Sequence, residues 1–389
     1  MDVTDIFQSF FIIFSSAAVV ATLALWGKQP LIVAYILVGM LLGPFGFGFV
    51  SDLELLRQIS GIGIIFLLFL LGLDMQPSAL LSTLRKSTVV VLLSSLVFAG
   101  LGAILAFSFS FSTTDALIIG ACCMFSSTII GIKLLPTTAL HHRHIGELLV
   151  GILLVQDIIA IILISLLQGT DSVDNAFASA LYILAMIPLV AGGSLIAVRF
   201  ILLPLLAKFD RFQEYIFLLS IGWCLGVAEV SELIGLSREI GAFFAGVSLA
   251  SSPISQYIAL SLKPLRDFFL VTFFFALGAG YNFALLEEVW LVSSLLAISI
   301  LVIKPLTFRT LLRKQSESNR LAWDLGIRLG QISEFSLLVV FVAINAGLLS
   351  EAASITVQSA AILTFLVSSY LVIFNLSNPL SPKDSLRRD

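Results

Sequence analysis

The sequence predicts an all-α polytopic membrane protein of about thirteen transmembrane helices, and three observations carry that prediction. The 389 residues are 59% hydrophobic and 12% charged, with mean hydropathy +1.10, where soluble domains carry about 25% charged residues. Apolar runs separated by short charged breaks recur along the whole chain. The cations also fall on one side. With the N-terminus outside and the C-terminus inside, seventeen of the 21 Lys and Arg lie in inside loops, and only Arg57 and Arg238 lie in outside loops. That is the positive-inside pattern, and it leaves Lys304 and Arg328 within spans.

Each span is an apolar run bounded by charge or by turn residues. The first six are Ile6–Leu25, Leu31–Phe49, Ile59–Leu73, Thr88–Phe107, Ala116–Leu135 and Gly146–Leu167. Asp2 and Asp5 precede the first, with no Lys or Arg before Lys28. A cleaved signal peptide needs a basic start, so the first run is expected to be retained. The other seven are Phe177–Leu203, Tyr215–Val230, Glu239–Ala250, Phe268–Ala279, Val289–Phe308, Leu321–Ala346 and Ile355–Phe374. Outside turns such as 169–176, with Asp171 and Asp174, and 281–288, with Glu287 and Glu288, are acidic. Glu239–Ala250 is short for a bilayer and is expected to be broken, re-entrant or frayed. Residues 1–376 thus form one transmembrane domain, followed by a polar cytosolic tail over 377–389.

A faint internal repeat runs through the spans. Gly39-Met40-Leu41-Leu42-Gly43-Pro44 leads, about thirty residues on, to the Phe/Leu run ending at Gly72. Gly241-Ala242-Phe243-Phe244-Ala245-Gly246 leads similarly to Phe273–Gly278. The two first elements cross in opposite directions, so the repeat is inverted, as in many secondary transporters.

Polar residues inside spans are the candidate site. Gln156-Asp157 sits mid-run in Leu148–Leu167, where a carboxylate costs roughly 2.5–3.5 kcal/mol on insertion scales. Ionised, an Asp holds a cation; neutral, it holds a proton; it cannot hold both. The bland alternative is a polar pair that only packs helices. Ser126-Ser127-Thr128 interrupts the fifth span and Gly330-Gln331-Ile332-Ser333-Glu334-Phe335-Ser336 the twelfth, at matching places in the repeat. Unwound carbonyls and hydroxyls there can coordinate a cation, or the hydroxyls can bond back to the preceding turn. Lys304, beside Pro305, either snorkels to the inner surface or acts as an intramembrane charge; Glu334 either supports the site or braces helix ends. Asp324 and Arg328 are spaced i, i+4 and read as a local ion pair.

Several chemistries are set aside. His141-His142-Arg143-His144 has no neighbouring Cys or carboxylate ligand and reads as a solvated basic loop, with a pH-sensing loop as the alternative. Cys122, Cys123 and Cys224 lie in apolar runs without metal or disulfide spacing. There is no G-x-S-x-G, H-E-x-x-H or phosphate loop, so no enzyme is indicated.

Residues along the whole chain resemble the membrane domain of the monovalent cation:proton antiporter-2 family, in its Kef-type potassium efflux branch. They include Gln29-Pro30, Leu42-Gly43-Pro44, Gly72-Leu73-Asp74, Ser126-Ser127-Thr128 and Leu153 to Ile158 around Gln156-Asp157. Gly241-Ala242-Phe243, Lys304-Pro305 and Glu334-Phe335 complete the set. The resemblance implies a sodium/proton-antiporter fold with two crossing broken helices, a core and a dimerisation subdomain interleaved in sequence, a homodimer, and elevator-like alternating access. Kef-type proteins usually continue into a soluble nucleotide-binding domain; here the chain stops at Asp389, so that regulatory domain is expected to be separate or truncated. Their acidic gating loop is replaced by Ser251–Lys263, which holds no acid, and their Gly-Gly before the Glu is Ile332-Ser333.

The resulting expectation is a monovalent cation:proton antiporter, potassium first and sodium next, in a bacterial inner membrane, with a role in pH homeostasis. Asp157 binds cation or proton in turn, Gln156, Ser126, Ser127 and Thr128 add oxygens, and Lys304 and Glu334 are supporting charges. No cofactor, no metal beyond the transported ion and no nucleic acid is expected, and the membrane lipid is the constant partner. A gated potassium channel and a sodium/proton exchanger remain as alternatives.

Overall fold

A computed structural model describes residues 3–50, 53–74, 77–127, 130–131, 144–168, 176–209, 211–250 and 252–377. All regular structure among them is helical. The helices are α1 (Val3–Trp26), α2 (Leu31–Leu42), α3 (Leu53–Asp74), α4 (Pro77–Ser108), α5 (Thr113–Met124), α6 (His144–Gln168) and α7 (Ala176–Ala197). A π turn at Val198–Leu202 leads into α8 (Leu203–Lys208), then α9 (Gln213–Leu233), α10 (Arg238–Ala250), α11 (Ser255–Ala279) and α12 (Phe283–Lys314). The last three are α13 (Asn319–Arg328), α14 (Glu334–Asn345) and α15 (Glu351–Asn375). Counting α7–α8 as one path and α13–α14 as the two halves of another, the order follows the thirteen expected spans. Seven helices among the described residues are long and apolar enough to cross a membrane.

Hydropathy locates the membrane-buried portion of each helix and misses its ends. Helix α4 begins eleven residues before the expected Thr88, and α11 thirteen before Phe268. The stretch around Lys263, Pro264, Arg266 and Asp267 was expected as a loop and is helical. At an interface water satisfies charged side chains while the backbone keeps its own hydrogen bonds, so charge ends a span without ending a helix. The second span errs the other way: α2 stops at Leu42 because Gly43-Pro44 follows, and turns occupy 43–47. Helix α10 has 13 residues, about 20 Å at 1.5 Å per residue, short of a bilayer core as expected.

The chain forms two compact units: Met1–Ser51, Ser82–Ala160 and Leu277–Asp389 make one, and Asp52–Leu81 with Ile161–Ala276 the other. Glycine contacts set helix spacing within each, as expected where backbones approach closely in membranes. In the first unit, a Cβ on Gly43 of the turn after α2 would lie 2.6 Å from the Ala279 Cα at the end of α11, and one on Gly278 would run into the Ile36 backbone of α2. In the second, Gly72 of α3 and Gly246 of α10 meet backbone to backbone. The partners are exchanged between the repeats. The first element of one packs on the second element of the other in each unit, the pairing an inverted two-fold repeat produces.

The first unit carries the polar clusters. Helix α4 lies on α5 through Gly102 and Gly120, whose added Cβ atoms would come 2.8 Å from Cys123 Sγ and 2.5 Å from Ala99 O. Helix α13 lies on α12 where a Cβ on Gly326 would meet the Pro305 carbonyl at 2.7 Å. The N-termini of α5 and α15 are tied together at the far end. Asp115 accepts from the Ser112 hydroxyl at 2.9 Å and from the Ser350 N–H at 2.8 Å.

Candidate ion site at the crossing of two broken helices

Both expected breaks are present. After Met124 the backbone turns extended, with Phe125 at φ −88° and ψ 146°, and helical structure resumes at Ile130-Gly131. Ser127 caps the restart: its Oγ accepts from the Ile130 N–H at 3.3 Å and its carbonyl from the Gly131 N–H at 3.1 Å. Thr128 lies outside the described residues. The second break separates α13 from α14 over 329–333. Ser333 stands where the Kef-type pattern has glycine and solves the backbone problem differently, as an N-cap at ψ 156° accepting from the Phe335 N–H and boxed with Ser336.

The breaks touch. Ser126 Oγ donates to the Leu329 carbonyl at 2.9 Å, Gln331 Nε2 to the Ser127 carbonyl at 3.4 Å, and Ser336 Oγ to the Cys122 carbonyl at 2.6 Å. Unwound backbone in a membrane persists only where such partners exist, since each unmet buried group costs roughly 1–3 kcal/mol.

Lys304 fastens the crossing. Its Nζ donates to the Phe125 carbonyl at 2.6 Å, the Gln331 carbonyl at 2.9 Å and Ser126 Oγ at 3.3 Å, using all three donors. It lies 5.2 Å from the Phe98 ring centroid, and its side chain is fully buried. The two carbonyls follow the C-terminal ends of α5 and α13, where helix dipoles favour a cation. It makes no ion pair among the described residues, so it neither snorkels nor pairs with Glu334. Phe98 and Phe308 stack edge to face beside it, 5.4 Å between centroids.

Gln156 fastens the first break from α6. Its Oε1 accepts from the Ser126 N–H at 2.9 Å, and its Nε2 donates to the Met124 carbonyl at 3.2 Å. One amide thereby satisfies a donor and an acceptor that the lost helical turn left open. A neutral side chain with both functions is what that position requires.

Asp157 is the next residue on α6. It is buried, 3% exposed, yet its carboxylate accepts no hydrogen bond from any described residue. The charge that acts on it belongs to Glu334, a half-buried carboxylate at the first position of α14, where the helix N-terminus favours a negative group. The sequence-predicted residues therefore do converge, in two roles. Gln156, Ser126, Ser127 and Lys304 are hydrogen-bonded into the scaffold, whereas Asp157 accepts from no described residue.

Thr364 and Ser368 of this scaffold escaped the sequence reading, and Gln331 entered it only within the polar run 330–336. Gln331, in the second break, also donates to the Arg328 carbonyl at 2.9 Å and accepts from Ser368 Oγ at 2.9 Å. Thr364 Oγ1 accepts from the Ile332 N–H at 3.2 Å. Thr364 and Ser368 are four apart on α15 and share a face, a spacing that was visible but looked like the Ser and Thr any membrane helix tolerates. Arg328 pairs with Asp324 at 2.6 Å, as expected, and also donates to the Ser377 carbonyl at 2.7 Å. His144 is not in a loop: it opens α6 and meets Glu317 at 2.8 Å. His141, His142 and Arg143 lie outside the described residues. No group of three His, Cys, Asp or Glu that could hold a metal comes together among the described residues.

Comparison with known proteins agrees with this geometry. The chain is 28% identical over 345 residues to the Iron transporter MagA of Paramagnetospirillum magneticum, covering 88% of this chain and 79% of that protein. It is 28% identical over 331 residues to K(+) efflux antiporter 6 of Arabidopsis thaliana, covering 82% of this chain but 54% of the relative, so it spans about half of that protein's length. The solved structure of the sodium proton antiporter MjNhaP1 from Methanocaldococcus jannaschii superposes with TM-score 0.66 at 17% identity, over 94% of this chain and 96% of that one. The sodium/hydrogen exchanger, transmembrane, family matches residues 13–376. This multi-pass membrane protein, with its crossed broken helices around a buried aspartate, belongs to that family.

Proposed function

We propose that the chain is a secondary active monovalent cation:proton antiporter in which Asp157 binds a cation and a proton in turn. The observation that carries this reading is the buried Asp157 carboxylate, which accepts from no described residue, beside a crossing held by hydrogen bonds from Ser126, Gln156, Lys304 and Gln331. An ionised carboxylate removed from water needs a cation or donors to offset its desolvation. With no donor among the described residues, the charge is met by a transported cation or removed by a proton. The two ligands exclude each other, which is the coupling an antiporter needs. Ser126, Ser127 and Gln156 hold the crossing by hydrogen bonds, Thr128 is the further oxygen the sequence offers, and Lys304 and Glu334 set the charge.

Potassium is the first candidate cation and sodium the second. Similarity to a K(+) efflux antiporter over most of this chain supports the former, and the fold of a sodium proton antiporter keeps the latter open. The cation bias of the loops supports an inner-membrane protein with its N-terminus outside and C-terminus in the cytoplasm. A homodimer, a soluble nucleotide-binding regulator on a separate or longer chain, and a role in pH homeostasis belong to the same proposal.

The test is exchange in proteoliposomes loaded with a pH-sensitive dye, with potassium, sodium, lithium and iron(II) added in turn. Potassium is expected to drive proton release with sodium next, and iron(II) to do nothing. Ion flux without proton movement would make the protein a channel and reject antiport.

A further inference from the structure

Beyond transport, the first unit holds a cavity of about 260 Å³ with an almost wholly apolar lining. Leu301, Val302 and Leu306 of α12 line it with Trp323 and Ile327 of α13 and Leu371 of α15. Pro305, Gly330, Ser368 and Asn375 complete the lining. Val302, Leu306 and Leu371 are 53%, 41% and 40% exposed, on helices that cross the membrane, so acyl chains are what surround them. The volume lies just below the range of small-molecule pockets, enough for part of one lipid tail.

One end of this cavity is cationic. Arg309 lies on the same face of α12 as Val302 and Leu306, about 10 Å from Val302 along the helix axis. Its guanidinium sits 4.7 Å from the ring centroid of Trp323, which lines the cavity. Among the described residues only its Nε is hydrogen-bonded, to Asn319 Oδ1 at 3.0 Å. Its terminal nitrogens are thus available for a bidentate contact with a phosphate. Arg313, Lys314 and Arg320 stand at the same end and are exposed. A tryptophan and a basic cluster above an apolar slot form the arrangement that holds an anionic lipid at a membrane interface.

We propose that this cavity is a binding site for an anionic phospholipid, with one acyl tail in the slot between α12, α13 and α15 and the phosphate on Arg309. The tail would end at Gly330 and Ser368, beside Gln331, whose carbonyl accepts from Lys304 and whose Oε1 accepts from Ser368. A lipid there braces the second break from behind. The site is distinct from Asp157 and does not depend on which ion is carried.

Native mass spectrometry of the delipidated full chain, titrated with phosphatidylglycerol or phosphatidylcholine carrying identical tails, tests it. Both headgroups carry the phosphate, but the choline cation is repelled at the Arg309 end, so phosphatidylglycerol is expected to bind about tenfold or more tightly, and Arg309→Gln to abolish that preference. Leu371→Trp, filling the slot, is expected to weaken both lipids while the melting temperature confirms folding. Equal binding of the two lipids, or a preference that survives Arg309→Gln, would overturn the proposal. So would full competition by inorganic phosphate, which has no tail, or cross-linking of Leu371→Cys between two copies, which would give this face to a second chain.

Discussion

Gln156→Leu separates scaffold from ligand at the site. Leucine matches the amide in size but can neither accept from the Ser126 N–H nor donate to the Met124 carbonyl, the two bonds Gln156 makes. Both groups lie in the buried first break, and Gln156 is 1% exposed, so water is a poor substitute. Each orphaned group costs roughly 1–3 kcal/mol, giving a loss of about 2–6 kcal/mol for the pair. Asp157→Asn is the contrasting variant. The Asp157 carboxylate accepts no hydrogen bond from a described residue, so removing its charge breaks none among them and relieves the repulsion from Glu334. The melting temperature in detergent, followed by tryptophan fluorescence, is expected to fall by roughly 2–7 °C for Gln156→Leu. Asp157→Asn is expected to melt at or above the parent. Equal melting of Gln156→Leu and the parent would refute the clamp. A large destabilisation by Asp157→Asn would show that the aspartate is structural.

Two further outcomes follow from the same geometry. Gln156 cannot titrate and Lys304 has its three donors engaged, so one proton is expected to exchange for one cation. Exchange rates in proteoliposomes should then be unchanged by an imposed membrane potential, whereas net charge movement would couple by about 2.3 kcal/mol per 100 mV and give a steep dependence. Gly326→Ala brings a methyl to 2.7 Å from the Pro305 carbonyl and is expected to cost roughly 1–3 kcal/mol as α12 and α13 separate. Unfolding by denaturant measures that, and an unchanged midpoint would mean the helices move apart freely.

Much of this was legible in the chain because a membrane makes polar residues conspicuous. Asp157 and Gln156 stand out in an apolar run, and Ser126–Thr128 and 330–336 mark the breaks, since unwound backbone there needs polar partners. What stayed hidden was the division of labour. Sequence offered Gln156, Ser126 and Ser127 as coordinating oxygens; only geometry assigns their hydrogen bonds to the backbone of the breaks. Lys304 read equally as snorkelling or buried, because a four-carbon stem permits both, and the choice depends on carbonyls of Phe125 and Gln331, 179 and 27 residues away in sequence. Thr364 and Ser368 gave no signal beyond hydroxyls on a membrane helix. The extents of α4 and α11 were missed because charge at an interface ends hydropathy before it ends a helix.

Asp157→Asn, reconstituted in proteoliposomes with a pH dye and driven by potassium and by sodium, decides whether this carboxylate is the carrier. The expected result is complete loss of cation-driven proton movement by a protein that still melts cooperatively and elutes like the parent. Substantial proton-coupled exchange by that variant would mean that cation and proton do not compete for Asp157, and the coupling would have to lie elsewhere.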